Sequence, residues 1–185
     1  HDIPVFDPSD QEVREHPVAD LVEAYAALLI EGNYRDLARV LRHPDLLARI
    51  ITEPVDDGPL TSLDILETLD TFQNACLPVD YEDVRRAMDA GRGEHYPALR
   101  HAVHFLDRHM TAFHKAGAET GLREFLQDVY ASRTLGDSEA DREFETVAIT
   151  CERALRELAI ASQLKSSDPF LPLRLFLHRL GEESY

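Results

Sequence analysis

Between Pro17 and Gly181, segment after segment brings apolar residues back at three- and four-residue steps, and no stretch alternates apolar and polar long enough to make a strand. A chain with this pattern folds as helices that each bury one stripe. The clearest case is Asn33–Leu47. Tyr34, Leu37, Ala38 and Leu41 form a stripe, Arg35, Arg39 and Arg42 face elsewhere, and Pro44 forces His43 out of helical geometry. A second short helix then carries Leu46, Leu47, Ile50 and Ile51, with Asp45 in its first turn, where negative charge is favourable.

The same logic places the other elements. Pro17 suits a first helical position, and Val18, Leu21, Val22, Tyr25, Leu28 and Leu29 follow before Gly32-Asn33 closes the helix. After a loop over 52–61, a helix from Ser62 to about Ala75 presents Leu63, Leu66, Leu69 and Phe72 at three-residue steps. Asp80 caps a short helix reaching about Ala90, with Glu82 and Asp83 in its first turn, and Gly91-Arg92-Gly93 reads as a mobile link. Pro97 opens a helix with Leu99, Val103, Leu106, Met110 and Phe113 inward, and Gly121 precedes another with Leu122, Phe125, Leu126, Val129 and Tyr130. The strongest pattern spans about Glu139 to Leu164, through Phe144, Val147, Ala148, Cys151, Leu155, Leu158 and Ala159. A last helix carries Leu171, Leu175, Phe176, Leu177 and Leu180. The expected fold is an all-α, irregular multi-helix bundle of about seven to nine helices. Residues 1–16 read as an extended N-terminal arm and 17–181 as a single helical domain, expected to be a fragment of a larger protein.

A net charge of −16 argues against broad nucleic-acid contact, which needs clustered Lys and Arg. Cys76 and Cys151 both fall in apolar helical patterns, as buried free thiols in a reducing cytoplasm would. No apolar run is long enough for a membrane span.

Catalytic signatures are missing. The two lysines, Lys115 and Lys165, follow His114 and Leu164, so there is no Gly-Lys-Ser/Thr phosphate loop. Positions 113 and 163 are Phe and Gln, which leaves neither lysine the acid two residues earlier that a PD-(D/E)xK nuclease needs to hold its metal. His95, His101, His104, His109 and His114 crowd one region, but at about 100° per residue they do not converge on one ion. Ordinary, partly exposed histidines are the expectation there, and no metal or other cofactor is expected. No nucleophile-elbow motif surrounds a serine or cysteine. Arg35, Arg39 and Arg42 remain as candidate contacts to a partner or a phosphate, set against the plainer reading of a solvated helix face in which Asp36 pairs with Arg39.

Three phrases together resemble one family. Tyr34-Arg35-Asp36-Leu37-Ala38-Arg39-Val40-Leu41-Arg42-His43-Pro44-Asp45 is similar to the Leu/Arg, His-Pro-Asp segment of bacterial AddB-like proteins, inactivated superfamily I helicases fused to a PD-(D/E)xK nuclease. Leu69-Asp70-Thr71-Phe72-Gln73-Asn74-Ala75-Cys76-Leu77-Pro78 resembles the phrase that follows it, and Leu173–Leu180 resembles the closing helix of the same insert. The resemblance spans most of residues 17–181. It implies a non-catalytic helical insert of a double-strand-break repair protein, with any nuclease outside this chain. Its partners would be other domains of the parent or a partner subunit, and the acidity favours a scaffold role over direct DNA contact. The competing expectations are a free-standing helical adaptor that binds another protein through an apolar groove, a metal-dependent helical enzyme using His95–His114, and an acidic mimic of DNA.

Overall fold

Every helix starts where the sequence breaks the one before. The computed structural model describes residues 13–55, 58–161, 168 and 170–180. Among these the chain is all-α, with nine α-helices: α1 (Pro17–Glu31), α2 (Tyr34–Leu41), α3 (Pro44–Ile50), α4 (Ser62–Cys76), α5 (Tyr81–Asp89), α6 (Pro97–Ala116), α7 (Ala118–Val129), α8 (Glu139–Ala161) and α9 (Leu171–Leu180). The described residues contain no strand, only an isolated antiparallel bridge between Asn33 and Asp80. Two compact units divide the chain, one made of residues 23–133 and the other of 1–22 with 134–185.

In the unit of residues 23–133, local chemistry sets the helix starts. Pro44 occupies the first turn of α3 and holds His43 extended at ψ 126°. Asp45 accepts a hydrogen bond of 2.8 Å from the Tyr130 hydroxyl, which ties the start of α3 to the end of α7. Capping boxes open α4 (Thr61 with Asp64) and α5 (Asp80 with Asp83), each satisfying two otherwise orphaned N–H groups. Tyr34, Leu37, Ala38 and Leu41 are buried as the spacing demands, and Val40 with them. Deeper in the core, Tyr25 stacks on Phe125 with ring centroids 3.9 Å apart.

A single residue, Gly117, joins α6 to α7 at φ 87°, a conformation that side chains with a Cβ rarely adopt. One turn further on, Gly121 lies against the backbone of Phe113. A Cβ there would overlap Phe113 Cα and stand 2.8 Å from its Cβ, so the missing side chain lets the two helices meet.

In the other unit, α8 and α9 pack together. Phe144, Val147, Cys151 and Leu155 are buried on α8, and Leu173, Phe176 and Leu180 on α9. Burial pushes the Cys151 thiol up to about 12, consistent with an unreactive core cysteine.

Several expectations need correction. On α4 the buried residues are Ile65, Leu69 and Phe72, while Leu63 is 61% exposed. Three-residue steps drift by about 60° each, so residues nine apart lie on opposite faces of a 3.6-residue helix. On α9 the buried residues are Leu173, Phe176 and Leu180, and Leu175 is exposed, because residues two apart on a helix lie about 200° round from each other. The segment read as a mobile link holds a 3-10 turn, Arg92–Glu94, with Gly93 buried close beneath the Arg100 side chain. Cys76 is only half-buried, with Arg92 Nη1 3.3 Å from its sulfur. The arm expected at 1–16 lies outside the described residues except for a 3-10 turn at Val13–Glu15 and His16. So do the expected extension of α8 to Leu164 and the side chains of Leu158 and Ala159.

The close approach at Gly121 makes a test that runs against helix propensity. Gly→Ala in a helix interior ordinarily gains about 1 kcal/mol. Here Gly121→Ala should instead lower the unfolding free energy by about 2 kcal/mol, because backbone atoms of α6 cannot step aside as a flexible side chain can. Urea denaturation measures it, and a raised midpoint would contradict the packing.

Candidate interaction cleft

Arg35 and Ala38 share one face of α2, and Arg42, the C-cap four positions on, continues it. The small Ala38 leaves a gap between the two guanidinium-bearing side chains. Across the gap the chain leaving α4 turns sharply at Leu77, Pro78 and Val79. Together Asn33, Tyr34, Arg35, Ala38, Arg42, Gln73, Pro78 and Val79 line an open cleft of about 420 Å³.

The backbone fixes this cleft. Tyr34 N–H donates to Val79 O at 3.0 Å, and Tyr81 N–H donates to Gly32 O at 2.7 Å, so the starts of α2 and α5 are pinned side by side. The Tyr34 hydroxyl donates to Leu69 O at 2.9 Å and anchors α2 on α4. Burial pushes that hydroxyl up to about 12, more than the neighbouring Arg42 pulls it down. Arg42 reaches Asp70 at 2.6 Å, whereas Arg35 is exposed and no described carboxylate pairs with it.

Leu77, next in sequence to the cleft-lining Pro78, is the anomaly of this turn. It ends α4 at φ 46° and ψ 51°, the only positive φ outside glycine among the described residues. The left-handed region costs a residue with a Cβ about 1–2 kcal/mol, and a following proline disfavours it further. Yet the Leu77 side chain is not repaid by burial: it is 76% exposed, and Val79 is 75% exposed. In the sequence, Leu77-Pro78 reads as the end of the helix from Ser62 and as the close of the Leu69–Pro78 phrase, and neither reading marks a strained residue. The available signal was two aliphatic residues flanking a proline in a short connection, where polar turn residues are the rule.

The three arginines singled out from the sequence are therefore divided. Arg35 and Arg42 line the cleft, while Arg39 points away and lies 3.6 Å from Glu23 instead of pairing with Asp36.

A second polar cluster ties α3, α6 and α7 together. Arg49 donates from Nε and Nη2 to Asp128 Oδ1 at 2.9 and 2.7 Å, and from Nη2 to Glu53 at 3.2 Å. Arg108 donates to Glu53 at 2.6 Å. Both guanidiniums lie 5.3 Å from the centroid of the Phe105 ring. His109 Nε2 stands 2.9 Å from Asp128 Oδ2, with the rings of Phe105 and Phe125 at 4.8 and 5.4 Å. A His–Asp pair invites a catalytic reading, but here Arg49 and His109 already engage both carboxylate oxygens of Asp128. Of the other clustered histidines, His101 lies 3.9 Å from Glu53, and His95, His104 and His114 are exposed. Among the described residues no three His, Cys, Asp or Glu side chains come together as a metal site.

Fold and cleft define an all-helical protein with a partly basic, partly aliphatic surface groove. No family profile, characterised protein or solved structure matches the chain.

The Arg49 cluster makes stability acid-sensitive. Burial pushes His109 below its ordinary 6.5, by more than the Asp128 carboxylate raises it. Burial also pushes Asp128 up, but hydrogen bonds from Arg49 and His109 outweigh it and hold the carboxyl below 3.8. In both cases the unfolded chain takes up its proton first as pH falls. Stability is therefore lost below 6.5 through His109, and again below 3.8 through Asp128. Urea denaturation of His109→Gln should show a flatter loss between about pH 7 and pH 5 than the parent chain. An unchanged slope would contradict this assignment. Arg49→Met should cost about 1–3 kcal/mol at neutral pH, because it leaves Asp128 partly buried without its main partner.

Proposed function

We propose that this chain is a non-catalytic helical interaction module whose place is within a bacterial AddB-like helicase–nuclease of double-strand-break repair, where it contacts other domains of the parent chain or a partner subunit. Leu77 carries the reading. A leucine that strains the backbone and gives its side chain to solvent weakens the isolated fold twice over. Strain of that kind is typical of positions kept for recognition. Val79, two residues on, is a second exposed aliphatic residue, and it lines the cleft together with Arg35 and Arg42. An aliphatic patch with a polar margin is the ordinary anatomy of a protein–protein contact. The net charge of −16 favours a protein partner over a phosphate backbone. The placement in an AddB-like parent rests on the resemblance of residues 34–45, 69–78 and 173–180 to that family's insert.

Two measurements test the proposal. The reading frame should continue on the C-terminal side into a helicase-like lobe and then a nuclease. A frame closing at Tyr185 would refute the parent and leave a free-standing adaptor. The second is Leu77→Gly, which removes the strain and the side chain together. The variant should be more stable in urea by about 1 kcal/mol, yet be retained less well by the remainder of the parent protein supplied in trans. Retention equal to that of the unaltered chain would contradict a recognition role for Leu77.

A further inference from the structure

We infer that the occupant of the α2 cleft is an extended peptide segment of a partner protein carrying an acidic side chain beside an aliphatic one, with its carboxylate on Arg35 and its aliphatic group against Val79. The inference rests on the interaction-module reading and specifies its partner chemistry. Three observations carry it. In a chain of net charge −16, the cleft is lined by two arginines, and Arg35 has no described carboxylate against it. The lining runs from Asn33, the N-cap of α2, to Arg42, its C-cap, so the cleft follows the helix along its length, as an extended segment needs. Pro78 and Val79 form the opposite wall, which suits an aliphatic group and repels a second charge.

A carboxylate matches the planar fork of Arg35 better than a point cation would allow. Nucleic acid fits less well. A phosphate backbone draws affinity from many cations in a row, and Arg42 already shares its charge with Asp70.

Random peptides displayed on phage and selected on the full chain test the inference. Enriched sequences should carry Asp or Glu next to Leu, Ile or Val. Synthetic copies should bind Arg35→Glu about tenfold more weakly than the unaltered chain, and replacing the peptide's acid with Lys should restore binding to that variant. Arg35 is exposed, so circular dichroism should show the variant folded, and Arg35→Ala gives an intermediate loss if the reversed charge disturbs the helix. Peptides without an acidic bias, peptides indifferent to Arg35, or no enrichment at all would overturn the inference. So would a short DNA duplex that binds in an Arg35-dependent way while the peptides do not. Enriched peptides that ignore Arg35 but are displaced by the rest of the parent would leave the module reading standing and this cleft excluded.

Discussion

Two backbone hydrogen bonds, Tyr34 N–H to Val79 O and Tyr81 N–H to Gly32 O, hold together parts of the chain that are far apart in sequence. They pin the turn after α1 to the turn after α4, and the cleft exists because of that pairing. The bonds also explain how Leu77 keeps its left-handed backbone. Its own N–H is held by Gln73 O, and two residues later Val79 is fixed by Tyr34. The Asp80 capping box then starts α5 at once, with Asp83 accepting from the Val79 N–H as well. A strained residue persists only where its surroundings over-determine it, and here the neighbours on both sides do so.

The two polar clusters of residues 23–133 show how charge can be used up or left open. Around Arg49 the arginines and carboxylates close on one another between aromatic rings, and the result clamps α3 to α6 and α7. Such a network is costly to disturb and has little capacity left for a ligand. Along α2 the balance differs. Arg42 is paired at the surface, Arg39 meets Glu23, and Arg35 faces the cleft. A site for recognition needs unspent donors more than it needs density of charge.

Much of this fold is legible in the sequence because the helix breaks are local. Pro17, Pro44 and Pro97 open α1, α3 and α6, and Asp80 caps α5, each through geometry that one or two residues decide. The inward stripes of α1, α2 and α6 are also legible. The stripes of α4 and α9 are not, since Leu63 and Leu175 satisfy a simple step count but fall off the buried face. Gly93 and Gly121 mislead for a related reason. Gly93 reads as part of a mobile link and Gly121 as the residue before a helix, whereas Gly93 is buried beneath Arg100 and Gly121 lies inside α7 against the backbone of Phe113. The cleft itself is invisible in the sequence. Its walls come from residues 33–42 on one side and 73–79 on the other, and only the backbone bridge brings them together. The arginine face of α2 is readable as a face, but which of its members meets a neighbour depends on Glu23 and Asp70 in other helices.

The central claim is that the cleft is built into the folded chain before any partner arrives. Native-state amide hydrogen exchange at Tyr34 and Tyr81 measures this directly, because both N–H groups are spent on the bridge that forms the cleft. A preformed cleft predicts that these two amides exchange as slowly as the interior amides of α2 and α5. Exchange at the rate of an open loop, with the helices still protected, would contradict it.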